Sequence, residues 1–268
     1  MTSNRRPTET ELIAWFLAPL ASDAAAFRLG DDAAALTPPD GEDLVLTKDV
    51  LVAGIHFFAD DPPGDIARKA LRVNLSDLAA KGARPLAYLL GLGLHADWTA
   101  DWLATFTAGL ADDQRTYGLA LLGGDTVSSP ERLTLSVTAI GRVPRGGMLR
   151  RDGARPGDII AVTGSIGDAA IGLQLRLDAG LSGRLGLSEA AAAHLLGRYL
   201  LPQPRSGLAE AVQRLASAGM DVSDGLAGDL AKMAGVSGVR IEIDAGSVPL
   251  SEAPAWPSLP IRRCGRWR

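Results

Sequence analysis

Five short acidic motifs are spread along this chain, most of them beside glycine. They are Gly30-Asp31-Asp32, Thr47-Lys48-Asp49, Asn74-Leu75-Ser76-Asp77, Gly123-Gly124-Asp125-Thr126 and Asp221-Val222-Ser223-Asp224-Gly225. Carboxylates held close together repel one another and are costly to desolvate, so a cluster of them requires cations. Oxygen donors without histidine or cysteine partners suit Mg²⁺, which usually binds substrate phosphates as well. Converging in space, the five sites would perform magnesium-dependent phosphate chemistry. Taken singly, each reads equally well as a turn or a helix cap, because glycine, serine and aspartate favour both.

Other chemistries are poorly served. No Gly-x-x-x-x-Gly-Lys-Ser/Thr loop is present, no kinase glycine loop with its Asp-Phe-Gly partner, and no Gly-x-Ser-x-Gly elbow. Three histidines form no cluster that would suit zinc. His56, in Ala53-Gly54-Ile55-His56-Phe57, reads either as a structural residue beside aromatics or as a ligand-facing one. Gly164-Ser165-Ile166-Gly167, ahead of a predicted helix, either cradles phosphate on its N–H groups or is an ordinary strand-to-helix turn.

Positioning such residues requires alternating strands and helices. Thr8 and Glu11 have capping-box spacing, and Leu12, Ile13, Phe16, Leu17 and Leu20 follow on one helical face. A strand beginning at 44–46 would carry Thr47 and Asp49 on one side and Lys48 on the other. Pro62-Pro63-Gly64 breaks the chain, and Asp65 is expected to cap a helix running to Ala80 and stopping at Gly82. On that helix Asn74, Asp77 and Lys81 are spaced i, i+3, i+7 and share a face. Further strands are expected at 86–94, 119–122, 133–143, 158–163 and 239–243. Further helices are expected at 99–117, from about 168, at 188–199 and 206–218, and from about 225 to 235. Asp125 then follows a buried strand, where α/β proteins place ligand sites. The alternation indicates a mixed α/β protein of two domains, 1–147 and 148–268, joined at Pro144-Arg145-Gly146-Gly147.

With 268 residues, 47% hydrophobic and 22% charged, the chain can bury a sizeable core. A net charge of −4 argues against nucleic-acid binding. The one cysteine, Cys264, allows no intrachain disulfide. Residues 1–10 are polar, and the apolar stretch at 86–94 is too short and glycine-rich to span a bilayer. These features read as a cytoplasmic protein with no membrane partner.

The order and spacing of the motifs resemble the bacterial thiamine-monophosphate kinase family over residues 8–250. The match runs through Gly30-Asp31-Asp32-Ala33-Ala34, Thr47-Lys48-Asp49-Val50-Leu51-Val52-Ala53-Gly54-Ile55-His56-Phe57 and Asn74-Leu75-Ser76-Asp77-Leu78-Ala79-Ala80. It continues through Gly123-Gly124-Asp125-Thr126 and Asp221-Val222-Ser223-Asp224-Gly225-Leu226. The acidic sites are shared more loosely with the superfamily of aminoimidazole ribonucleotide synthetase and selenophosphate synthetase. The resemblance implies a two-domain α/β fold of the aminoimidazole ribonucleotide synthetase type, dimerising through strands of its N-terminal half. It implies ATP-dependent phosphorylation of thiamine phosphate to thiamine diphosphate by direct in-line transfer, without a phosphoenzyme. Asp32, Thr47, Asp49, Asp77, Asp125, Asp221 and Asp224 would hold several Mg²⁺ ions, with Asp31 and the Lys48 position beside them. Tyr117, Gly124, Asp125, Arg151 and Ser223 would contact ATP, and His56 the thiamine phosphate. No acid–base residue is needed, because the attacking phosphate oxygen is already ionised and the obstacle is repulsion between polyanions.

Two departures from the family pattern stand out. Lys48 replaces the small hydroxyl residue of a Ser-Thr-Asp-type run. The family's later Gly-Gly-Asp/Glu-Asp-Tyr-Glu-Leu segment is absent, and the chain turns instead into Pro254-Ala255-Trp256-Pro257 and an arginine-rich end. A frameshift or early stop near residue 252 would leave an incomplete C-terminal domain with weak or no turnover. Two other readings therefore stand beside the kinase: a superfamily ATP enzyme with a different substrate, and a Mg-nucleotide-binding protein without turnover.

Overall fold

A computed structural model describes residues 6–251, so the arginine-rich end lies outside the described residues. The chain forms two compact units. Of the described residues, one gathers 6–159 with Leu200–Ile241, and the other gathers Ile160–Tyr199 with 242–251.

The first unit is built on a four-stranded sheet in the order β1-β4-β2-β3. Its strands are β1 (Glu42–Val52), β2 (Arg84–Leu94), β3 (Ala120–Ser128) and β4 (Thr134–Pro144). β4 runs antiparallel to both β1 and β2, and β2 pairs parallel with β3. Two long helices connect the strands and cover one sheet face. α2 (Pro63–Ala80) starts on Pro62-Pro63, because a proline in the first turn sacrifices no helical hydrogen bond, and Gly82 at φ +70° ends it. Asp65 lies in its first turn and bonds Arg68; the cap position belongs to Pro62. α3 (Ala100–Tyr117) is capped by Thr99, whose hydroxyl accepts the Trp102 N–H, and Gly118 ends it in the left-handed region. The helices touch at Gly64 and Gly109, where an added Cβ on Gly109 would stand 2.4 Å from the Gly64 carbonyl oxygen. Leu71, Leu75, Leu78, Leu103, Phe106 and Leu110 pack fully buried beneath them, with Tyr88, Leu92 and Leu135 from the sheet. Burial of each such side chain contributes about 2 kcal/mol.

Ahead of the sheet, α1 (Glu9–Leu12) carries the expected capping box on Thr8 and Glu11, and π and 3-10 turns follow to Leu20. Residues 21–36 then pack Ala21, Ala25, Ala26, Leu29 and Ala34 around Ala87, Leu122 and Ile140, at one end of the other sheet face. The rest of that face is open. Leu46, Val50, Leu89 and Val127 are exposed on it. Further along, α7 (Ala209–Leu215) and α8 (Leu226–Ser237) return to the first unit.

The second unit holds α4 (Asp168–Leu177), α5 (Leu181–Arg184) and α6 (Glu189–Leu200), and Asp168 joins the start of α4 to α6. This buried carboxylate accepts from Ser165 Oγ at 2.5 Å and Ser251 Oγ at 2.6 Å, and meets His194 Nε2 at 3.3 Å. Ser165 is thus engaged inward, and the Ile166 N–H bonds the Pro249 carbonyl, as befits an ordinary turn. The expected strands at 158–163 and 239–243 do not form. Both segments have strand composition, but a strand exists only beside a neighbouring strand, and among the described residues neither segment pairs with one. Ile159 is accordingly 92% exposed.

Candidate active site

The site begins with the pleat of β1. Alternate side chains take opposite faces, so Thr47 and Asp49 turn toward α2 while Lys48 turns to the open face. There Lys48 Nζ bonds Ser136 Oγ at 2.7 Å. Thr47 Oγ1 donates to Asp77 Oδ2 at 2.5 Å, which joins β1 to the last turn of α2. Burial raises the Asp49 carboxyl above its usual range and the charge of Asp77 raises it further, while His56 opposes the shift. Asp221 arrives from the segment between α7 and α8. Burial pushes its carboxyl up to about 6, with the charge of Asp77 next in weight and a hydrogen bond from Ser76 working against both. Asp49, Asp77 and Asp221 thus form a partly desolvated anionic group drawn from three separate elements.

The backbone around Lys81 holds this group together. Lys81 Nζ donates to the Gly219 carbonyl at 2.9 Å, and the Lys81 carbonyl accepts the Leu149 N–H at 3.1 Å. The Gly219 N–H in turn donates to the Arg150 carbonyl at 3.1 Å. Gly219 must be glycine, because an added Cβ would stand 2.4 Å from the Ala80 carbonyl oxygen. Burial lowers the Lys81 ammonium pKa and the charge of Arg151 adds to this, while Asp77 and Asp221 pull the other way.

His56 sits on a tight turn after β1. The Val52 N–H donates to His56 Nδ1 at 3.0 Å, and Gly54 at φ +78° closes the turn onto the Phe57 carbonyl at 2.8 Å. Phe57 is buried and anchors the loop, leaving His56 exposed. With Nδ1 accepting, this hydrogen-bond network assigns the ring proton to Nε2, a donor available to a ligand.

The remaining candidates lie elsewhere in the same unit. Asp31 and Asp32 occupy an exposed turn, where the Asp32 N–H bonds Asp31 Oδ1 at 2.7 Å. Phe27, Arg28 and Leu29, all at positive φ, precede that turn. Asp125 lies inside β3, not beyond its end, and its register with Gly91 puts it on the open face with Lys48. Gly124 faces the helices, and an added Cβ would fall 1.8 Å from the Leu90 carbonyl oxygen. Tyr117 lies beneath the guanidinium of Arg72, which grips buried Asp113 by two bonds of 2.8 Å. Arg151 occupies an exposed 3-10 turn. Asp224 is exposed and bonded by Lys232 at 2.5 Å. The Ser223 and Asp224 N–H groups both donate to Asp229 Oδ2 at 3.0 Å.

Ser76 and Asp229 carried no signal as site residues, and Lys81 was expected only to share a helix face with Asp77. Ser76 stands within a quoted motif, and Asp229 in the first turn of α8 carries an ordinary capping signal. Asn74, expected to share a face with Asp77, is fully buried instead; its Nδ2 bonds the Ala70 carbonyl and its Oδ1 has no hydrogen-bond partner.

Among the described residues no three His, Cys, Asp or Glu side chains are arranged as a complete metal cage. Mg²⁺ ordinarily takes one or two carboxylates and completes its octahedron with water and substrate phosphates, so the donors present fit it. Asp49, Asp77, Asp221 and the Thr47 hydroxyl would be the groups to hold it. Among the described residues no helix is long and apolar enough to cross a membrane.

This sheet, its helical layer and the oxygen-rich site define an AIR synthase-related protein. Residues 30–143 match the family described as AIR synthase related protein, N-terminal domain, and residues 155–261 match its C-terminal domain. Thiamine-monophosphate kinase of Caulobacter vibrioides is 43% identical over 252 residues, covering 93% of this chain and 69% of that relative. The crystal structure of thiamine-monophosphate kinase from Stenotrophomonas maltophilia K279a superposes with a TM-score of 0.76 at 44% identity, covering 84% of this chain and 70% of that one. AaThiL complexed with AMPPCP and TMP superposes at 0.73 with 35% identity, over 84% and 70%. The chain belongs to the thiamine-monophosphate kinase family.

Proposed function

We propose that this chain transfers the γ-phosphoryl group of ATP to thiamine phosphate, giving ADP and thiamine diphosphate. The observation that carries the proposal is the convergence of Asp49, Asp77 and Asp221 near His56, where burial and the charge of Asp77 raise the Asp49 and Asp221 carboxyls. A related protein of the same fold, AaThiL, is complexed with AMPPCP and TMP. A phosphate oxygen of thiamine phosphate attacks the γ-phosphorus in line, and the bond to the ADP oxygen breaks. No proton has to be removed, so the work of the protein is orientation and charge. Bound Mg²⁺ would supply the positive charge that lets two polyanions approach. Thr47 fixes the orientation of Asp77 by its hydrogen bond. His56 Nε2–H is assigned as a donor to thiamine phosphate, and Arg151 to the ATP phosphates.

Asp31, Asp32, Asp125 and Asp224 as further metal ligands, and Tyr117, Gly124, Asp125 and Ser223 as ATP contacts, belong to this same proposal. So do a cytoplasmic location and a homodimer. The open sheet face, with exposed Leu46, Val50, Leu89 and Val127, supports the homodimer, because a second copy would remove these apolar side chains from water. Asp125 would then lie at the seam. Leu46→Glu should shift the chain to monomer in light scattering, and an unchanged mass would dismiss this face.

A second reading, nucleotide binding without turnover, is favoured by the segments at 158–163 and 239–243, which join no sheet among the described residues. ADP release from Mg-ATP separates the two. Release that requires thiamine phosphate and disappears in Asp77→Asn establishes the kinase. Mg-ATP binding without release establishes the second reading.

A further inference from the structure

Lys81 touches more of the site's scaffold than any motif signalled. It follows the last residue of α2, one turn beyond Asp77, an i, i+4 arrangement in which the acid precedes the base at a helix C-terminus. Its Nζ donates to the carbonyl of Gly219, two residues before Asp221. Asp77, Asp221 and Arg151 all lie within electrostatic range of the ammonium. The lysine thus lies near two carboxylates that repel each other and is bonded to the backbone that delivers one of them.

We propose that Lys81 is a resident counter-cation for the Asp77–Asp221 pair, a positioning residue that holds the two carboxylates together before magnesium binds. Half-buried carboxylates close to one another destabilise the fold unless a cation lies near. Lys81 supplies that cation from within the chain. Removing its charge transfers the task to Mg²⁺, so the stability of the metal-free protein becomes more dependent on added metal.

The inference rests on the magnesium reading of the site, and thermal melting tests the two separately. Lys81→Gln keeps a side-chain donor for the Gly219 carbonyl but loses the charge, whereas Lys81→Arg keeps both. Melting is followed in EDTA and in millimolar MgCl₂ for the wild type, both single variants, Asp221→Asn, and Lys81→Gln combined with Asp221→Asn. Lys81→Gln should melt lower than the wild type in EDTA, and Lys81→Arg close to it. The rise produced by MgCl₂ should be at least about twofold larger in Lys81→Gln, since the metal replaces the missing charge. Asp221→Asn should raise the melting temperature more in the Lys81→Gln background than in the wild type, because only there is the repulsion uncompensated. An equal rise in both backgrounds overturns the counter-cation role. No response to MgCl₂ in any chain, with the unequal rise preserved, overturns the magnesium reading and leaves the role of Lys81 standing.

Discussion

Removing the Asp221 charge should stabilise the metal-free protein, although the residue belongs to the site. Burial and the charge of Asp77 push its carboxyl up to about 6 in the fold, against about 4 in the unfolded chain. Two pKa units correspond to about 3 kcal/mol, and partial exposure to solvent reduces this to about 1.5 kcal/mol. The sign follows from proton linkage. A folded pKa above the unfolded one means that the native state binds the proton more tightly. The penalty is therefore fully present above pH 6, shrinks as pH falls through 6 toward 4, and is gone below both values. In EDTA, the wild type should gain about 1 kcal/mol from this group between pH 7.5 and pH 4.5. Asp221→Asn should be more stable than the wild type by a similar amount, about 1–2 kcal/mol, at pH 7.5, with a flatter pH profile. Asp49, raised in the same direction, leaves a residual slope in the variant. Guanidinium unfolding followed by circular dichroism at several pH values measures both quantities. A variant less stable than the wild type at pH 7.5, or one with an unchanged slope, would refute the electrostatic account of the site.

Three other outcomes follow from geometry. Lys48→Thr should leave thiamine phosphate-dependent ADP release within about twofold, because Lys48 bonds Ser136 on the open face, away from Asp49 and Asp77; a tenfold change in steady-state rate would contradict the strand alternation. Gly124→Ala should lower stability by about 2 kcal/mol or more in chemical denaturation, since its Cβ would collide with the Leu90 carbonyl; loss of ATP affinity at unchanged stability would show a purely ligand-facing glycine. Arg72→Ala should cost about 3–5 kcal/mol in the same assay, because it leaves buried Asp113 without its partner, and a cost below about 1 kcal/mol would count against the pair.

Much of the first unit was legible because its signals are local. Thr99 and Gly118 delimit α3, Gly82 ends α2, and a period of two separates Lys48 from Thr47 and Asp49. Each depends on a few neighbouring residues and on backbone preferences that hold in any context. The motif order was sufficient to indicate the family, since it records which residue types recur at which spacing.

Tertiary structure decided which motifs meet. Segments 158–163 and 239–243 have strand composition, yet whether a strand forms depends on a partner that composition does not supply. Asp125 is the sharper case. Leu121 faces the helices, so simple alternation along β3 would put Asp125 on the same side as Asp49. A bulge opposite Tyr88 and Leu89 adds Leu122 as an extra residue and turns Asp125 to the open face. Asp221 was placed beside Asp77 by the close approach of Gly219 to the end of α2, a contact across 138 residues of sequence. The sequence by itself determined the donor chemistry and the elements that carry it. The fold alone decided which carboxylates share a desolvated space, because bulges, pairing partners and chain returns arise from packing between distant segments.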